Sequence, residues 1–212
     1  QFLLPRDFPV LYYSLKCFQD CEWIQDIILV TNEESVEYVK EQIVDRYFLT
    51  KTRRIVAGGE ERYDSVYAGL MECEGTDYVF VHDGARPLIT REILERVFDG
   101  VKEYGACIAG MPSKDTIKIS DEGGCVLSTP PRDRVWNVQT PQAFSYSVLK
   151  NAHDSIREKG MKGITDDAMI VEQETECRVK LVKGSYENLK ITTPEDLKIA
   201  EAILSERDLQ KI

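Results

Sequence analysis

Apolar runs rich in β-branched residues alternate along this chain with stretches of helical periodicity. After a helix-like stretch over 10–18, Ile27-Ile28-Leu29-Val30-Thr31 reads as a fully buried strand, and 33–47 as a helix. Residues 54–57 form a second short strand, broken by Gly58-Gly59. A helix over 62–73 follows, with Val66, Leu70 and Met71 on one face. Residues 78–81 make a third strand, Thr90 is placed as the N-cap of a helix reaching Tyr104, and 106–110 make a fourth strand. Strand–helix alternation with short loops predicts an α/β fold: a mostly parallel sheet with helices on both faces.

The pattern then changes. Thr116-Ile117-Lys118-Ile119 and Cys125-Val126-Leu127-Ser128 each alternate polar and apolar, and Asp121-Glu122-Gly123-Gly124 between them is a turn signal, so the two runs predict a hairpin. Its strands have one apolar face and project from a body of βα units, as an arm over about 112–135. Another subunit would cover that face. A short strand near 136–138, helices over 146–159 and 166–172, and a strand over 178–182 come next. A last helix starts at Pro194, where proline suits a first turn. No linker or repeat divides the chain, so 1–212 is expected to be one domain with an arm. The opening Gln1-Phe2-Leu3-Leu4-Pro5 runs straight into a helical stretch, and we expect a strand and a loop ahead of it.

Composition adds exclusions. No apolar stretch approaches the roughly 18 residues of a membrane span, and the opening does not read as a signal peptide. The net charge of −10 argues against non-specific nucleic-acid binding, which needs a basic surface. Six cysteines are sparse for this length and complete no zinc pattern with a nearby His; they read as reduced thiols in a cytoplasmic protein, with disulfides or metal ligation as alternatives.

Ligands of open parallel sheets sit at the carboxyl ends of the strands. The second strand ends in Gly58-Gly59-Glu60-Glu61-Arg62-Tyr63-Asp64-Ser65. Its amides could face an anion or a base and Ser65 could donate a hydrogen bond, or the segment is a plain turn with a helix cap. The third strand ends in His82-Asp83-Gly84-Ala85-Arg86-Pro87. Asp83 could hold a hydroxyl or a magnesium ion and Arg86 a phosphate, or the two pair to order the loop. Alternation turns His82 away from Asp83, so His82 reads as structural. Lys114, Lys118, Arg132, Arg134, Lys183 and Lys190 are further cations, and Lys190 stands out inside the apolar run 188–192, read as a strand. A cation-rich cleft with one well-placed Asp suits phosphoryl or nucleotidyl transfer.

These segments, with Lys114 to Lys118, Trp136, Gln139-Thr140-Pro141-Gln142, Thr165-Asp166-Asp167-Ala168, Asn188 to Thr192 and Pro194 to Leu197, occur in one order and spacing. In that respect the chain resembles the 2-C-methyl-D-erythritol 4-phosphate cytidylyltransferases of the non-mevalonate isoprenoid pathway. The resemblance implies a Rossmann-like nucleotidyltransferase fold, a homodimer that exchanges its arms, and transfer of CMP from CTP, with magnesium, to methylerythritol phosphate. It implies that Arg132 and Lys190 place the attacking phosphate, and that Asp83, Arg86 and Thr116 contact the polyol phosphate, some across the dimer. It also implies that Gly58, Gly59, Ser65, Asp83 and Gly84 receive the nucleotide. A glycine-rich loop that the family carries at its front is not in this sequence. Rival readings are a ribitol-5-phosphate cytidylyltransferase, a sugar-1-phosphate nucleotidyltransferase and a non-catalytic nucleotide-binding protein.

Overall fold

The computed structural model describes residues 8–209 and resolves them into two sheets, flanking helices and a separate arm. Helix α1 (Val10–Gln19) leads into strand β1 (Ile27–Thr31). The helix expected over 33–47 is instead three short pieces: a 3-10 turn (Glu33–Ser35), α2 (Val36–Val39) and a π-helical turn (Lys40–Asp45). Through these turns Val39, Ile43 and Val44 are all buried with Leu11 and Leu15 of α1. Strand β2 (Thr52–Ala57), α3 (Arg62–Met71), β3 (Tyr78–Val81), α4 (Arg91–Tyr104) and β4 (Ala106–Pro112) follow as anticipated within a few residues.

The arm holds β5 (Ile119–Ser120) and β6 (Val126–Ser128), joined as a small antiparallel sheet. Beyond it come β7 (Trp136–Ser145), α5 (Tyr146–Lys159), α6 (Asp167–Glu174), β8 (Lys180–Lys183) and α7 (Pro194–Leu209). The run 188–192, read as a strand, forms no ladder among the described residues. It is an irregular segment tied to the main body where the Ile191 N–H donates to the Ala85 carbonyl at 2.8 Å.

β1 and β2 pair in parallel, and the larger sheet has the order β3-β7-β4-β8. β4 and β8 are parallel, while β7 runs antiparallel to both β3 and β4. Three of these four strands therefore share one direction, and the mostly parallel expectation holds with β7 as the exception. β7 is ten residues long where a short strand was expected. Its middle reads poorly as a strand because Pro141 has no N–H to give a ladder. The register steps from Ile108–Gln142 to Gly110–Val138, so Gln139, Thr140 and Pro141 bulge opposite Ala109.

Helices cover both faces. α5 and α6 bury Leu149, Ile156 and Ile170 around Phe144, and α4 buries Ile93, Leu94 and Val97 against Cys107 and Ala143. Gly100 allows α4 to lie this close, since a Cβ there would stand 2.3 Å from the Cys107 sulfur. Among the described residues β1 and β3 each keep one unpaired edge, and both border a cleft of about 1330 Å³. Ile27 to Val30 are therefore half-buried, not fully buried as their composition suggested.

Candidate active site

β3 carries the chain to the mouth of this cleft, and His82 and Asp83 follow its last residue, the His82 ring near Phe18 and the Asp83 carboxylate near Arg62, Arg86 and Lys190. The β7 bulge meets them there. Thr140 Oγ1 accepts the Asp83 N–H at 3.0 Å and donates to His82 Nδ1 at 3.0 Å. With Nδ1 accepting, this network assigns the ring proton to Nε2, which donates to the Arg86 carbonyl at 3.3 Å. The Arg86 N–H closes a turn on the Asp83 carbonyl at 2.9 Å, and the Ser14 hydroxyl donates to the Arg86 carbonyl at 3.1 Å. The strand-end loop is thus fastened from α1, β7 and its own His.

The carboxylate of Asp83 gathers cations. Lys190 Nζ lies 3.3 Å from Oδ2, Arg86 Nε 3.4 Å from Oδ2, and the Arg62 guanidinium 4.0 Å from Oδ1. Lys190 is turned there because its neighbours Leu189 and Ile191 pack against Leu88, Ala200 and Leu204. Arg86 also donates to the Asn188 carbonyl at 2.8 Å, so it braces the loop as well as facing Asp83. Burial opposes the charge on Asp83, yet Lys190, Arg62 and Arg86 outweigh it and hold the carboxyl below its usual pKa. Asp83 is therefore an anion throughout the neutral range.

His82 is the opposite case. Protein packed around its ring, including Phe18 with centroids 5.1 Å apart, strips its hydration and pushes its pKa down to about 4. The unfolded imidazole takes a proton near 6.5, whereas the folded one refuses it until about 4. Acidification through that window favours the unfolded chain. The thermal midpoint is expected to fall more steeply between those two values in the native protein than in His82→Gln; parallel pH profiles of the two proteins would refute a neutral, shielded His82.

The residues expected to receive a nucleotide lie at the same end of the fold. Gly58 and Gly59 form a tight turn against α3: a Cβ on Gly58 would meet Ser65 Oγ at 2.5 Å, and one on Gly59 would meet Asp64 Cβ at 2.4 Å. Ser65 Oγ accepts the Gly59 N–H at 3.2 Å, so its hydroxyl is committed to the turn, and the plain-turn reading has physical weight. Ser65, Arg62, Asp83 and Gly84 all line the cleft. Thr116 and Arg132, by contrast, are exposed on the arm and join none of the Asp83 contacts among the described residues. Arg132 donates to the Lys114 carbonyl at 3.4 Å, Lys118 to Thr129 at 2.8 Å, and the Lys114 ammonium sits 3.6 Å from the Tyr186 ring centre.

Sequence reasoning gave no separate role to Thr140, Arg62 or Asp167. The local signals were a hydroxyl beside a bulge-forming proline, a cation opening a helix after Gly-Gly, and a second carboxylate behind the helix cap Asp166.

The family profile described as 2-C-methyl-D-erythritol 4-phosphate cytidylyltransferase matches residues 1–206. The chain belongs to this family. A cytidylyltransferase of that name from Lachnoclostridium phytofermentans is 50% identical over 97% of this chain and 88% of its own length. One from Caldanaerobacter subterraneus is 46% identical, covering 92% of this chain and 86% of its own. Among solved structures, the 4-diphosphocytidyl-2C-methyl-D-erythritol synthase of Anaerococcus prevotii superposes with a TM-score of 0.85 at 33% identity, covering 93% of this chain and 86% of the other. The cytidylyltransferase of Thermus thermophilus does so at 0.80 and 30%, covering 96% and 93%. The Rossmann-like nucleotidyltransferase fold expected of the family is the fold found, and the ribitol phosphate reading is not favoured.

Proposed function

We propose that the chain transfers CMP from CTP to 2-C-methyl-D-erythritol 4-phosphate, giving 4-diphosphocytidyl-2-C-methyl-D-erythritol and pyrophosphate. The observation that carries this, beside family membership, is the group of three cations around Asp83 at the mouth of a large cleft. A phosphate oxygen of the acceptor attacks the α-phosphorus of CTP. As that P–O bond forms, the bond to the bridging oxygen of the β-phosphate breaks and pyrophosphate leaves with its electron pair. A phosphate dianion needs no base to attack, so the protein's work is to hold two polyanions together. In this reading Lys190 and Arg132 place the acceptor phosphate, Asp83 and Arg86 hold its polyol end with Thr116, and the turn at Gly58, Gly59 and Ser65, with Gly84, receives the nucleotide.

Magnesium is read as part of the CTP chelate, kept by phosphate oxygens and water. The chain's own carboxylates fit it poorly as a cage. Asp83 already faces three cations, Asp167 is buried against Arg62, and Asp166 caps α6.

The arm is read as the dimer contact. Ile119, Val126 and Leu127 are 51%, 60% and 66% exposed, and a two-stranded sheet of this size is marginal alone. A second copy would cover them and bring Thr116 and Arg132 to the neighbouring site. No helix among the described residues is long and apolar enough to cross a membrane, and the six free thiols suit a cytoplasmic enzyme.

Pyrophosphate release measured with CTP and each polyol phosphate in turn tests the reading. Faster turnover of ribitol 5-phosphate than of methylerythritol phosphate would overturn the choice of acceptor.

A further inference from the structure

The charges that meet at Asp83 are anchored inside the molecule. Asp167, fully buried in the first turn of α6, lies with Oδ1 3.3 Å from His153 Nε2 and Oδ2 2.8 Å from the Arg62 guanidinium. The helix end that carries it is locked to β7. Asp166 accepts the Met169 N–H at 3.0 Å and the Gln142 amide at 2.7 Å, while the Gln142 carbonyl accepts the Ala168 N–H at 3.1 Å. A buried carboxylate that loses its partner is strongly destabilising, so Arg62 is held firmly on this side. Its other side faces Asp83.

The two oxygens of Asp83 are not equivalent. Lys190 and Arg86 make their closest approaches at Oδ2, whereas Arg62 makes its closest approach at Oδ1, at 4.0 Å, an ion-pair distance beyond hydrogen-bond reach. Arg62 thus draws Oδ1 to its side by charge, without taking a lone pair of its own. We propose that Arg62, gripped by Asp167, is a positioning residue that aims Asp83 Oδ1 at a hydroxyl of the acceptor polyol. The inference rests on the reading that Asp83 contacts the acceptor.

Steady-state kinetics on the full-length enzyme separate the two. Asp83→Asn tests the underlying reading: an unchanged KM for the polyol phosphate would remove Asp83 from the acceptor site, and the proposal with it. Given a defect there, Arg62→Met is expected to raise the acceptor KM by about tenfold and leave the KM for CTP nearly unchanged. The acid limb of its kcat/KM profile should move to higher pH. Asp83 then keeps Lys190 and Arg86, with a lesser pull from His82, to hold its carboxyl down. In an Asp83→Asn background the same substitution should add little. A folded Arg62→Met with native acceptor KM and acid limb, or one equally damaging without Asp83, would overturn the proposal. Should Arg62→Met fail to fold, Arg62→Lys keeps a charge beside Asp167 but loses the fork that reaches Asp83. An acceptor KM raised about threefold supports the role, and a native value sinks it.

Discussion

Lys190→Ala is expected to lower kcat by about two to three orders of magnitude without unfolding the protein. The side chain is 46% exposed, and the segment that carries it is held by Leu189 and Ile191 in the core, not by the amine. The amine stands 3.3 Å from Asp83, where a phosphate dianion would otherwise meet a carboxylate unshielded. Removing it withdraws a charge that the acceptor needs as it closes on a second polyanion. Turnover at saturating CTP and acceptor, read beside a thermal melt, is the measurement. Near-native turnover would take Lys190 out of the site.

The second large effect belongs to the arm. Replacing Ile119, Val126 and Leu127 by Ser is expected to yield monomers by light scattering and to cost about a hundredfold in turnover, because Thr116 and Arg132 would no longer reach a partner. The body should keep its melting temperature, since all three residues are exposed within one chain. Exchange of arms has a sharper signature in mixed dimers. Arg132→Ala and Lys190→Ala, each crippled alone, should regain part of the native activity when co-expressed, since one site of the heterodimer would then combine an intact Lys190 with the partner's intact arm. No recovery from a demonstrated heterodimer would place Arg132 in its own chain's site.

Much of the body was legible because its signals are local. β1, β3 and β4 are short apolar runs, α4 repeats its buried face at helical spacing, and the Asp83–Arg86 pair sits at a strand end where ligands bind. What escaped depends on distant partners. The second half of β7 does not alternate cleanly and is a strand only because β3 and β4 flank it. The segment around Lys190 looks like a strand because Leu189 and Ile191 are apolar, yet they serve a small cluster with α7 and have no sheet to join. The Arg62–Asp167 pair joins helices far apart in sequence, and no local pattern carries that information. On the arm Thr116 and Arg132 were legible as residues, but within the single chain both are exposed and neither joins the Asp83 contacts among the described residues.

The place of β7 between β3 and β4 also sets an order of assembly. β1 and β2 lie close in the chain and can pair early, but β3 meets its only strand partner in the described fold when β7, through Ser145, has been synthesised. Until then β3 is an apolar strand with no ladder, and the nascent chain must carry it through the whole length of the arm. Asp83 is made early and fixed late, since Thr140, which accepts its N–H, arrives on that same strand.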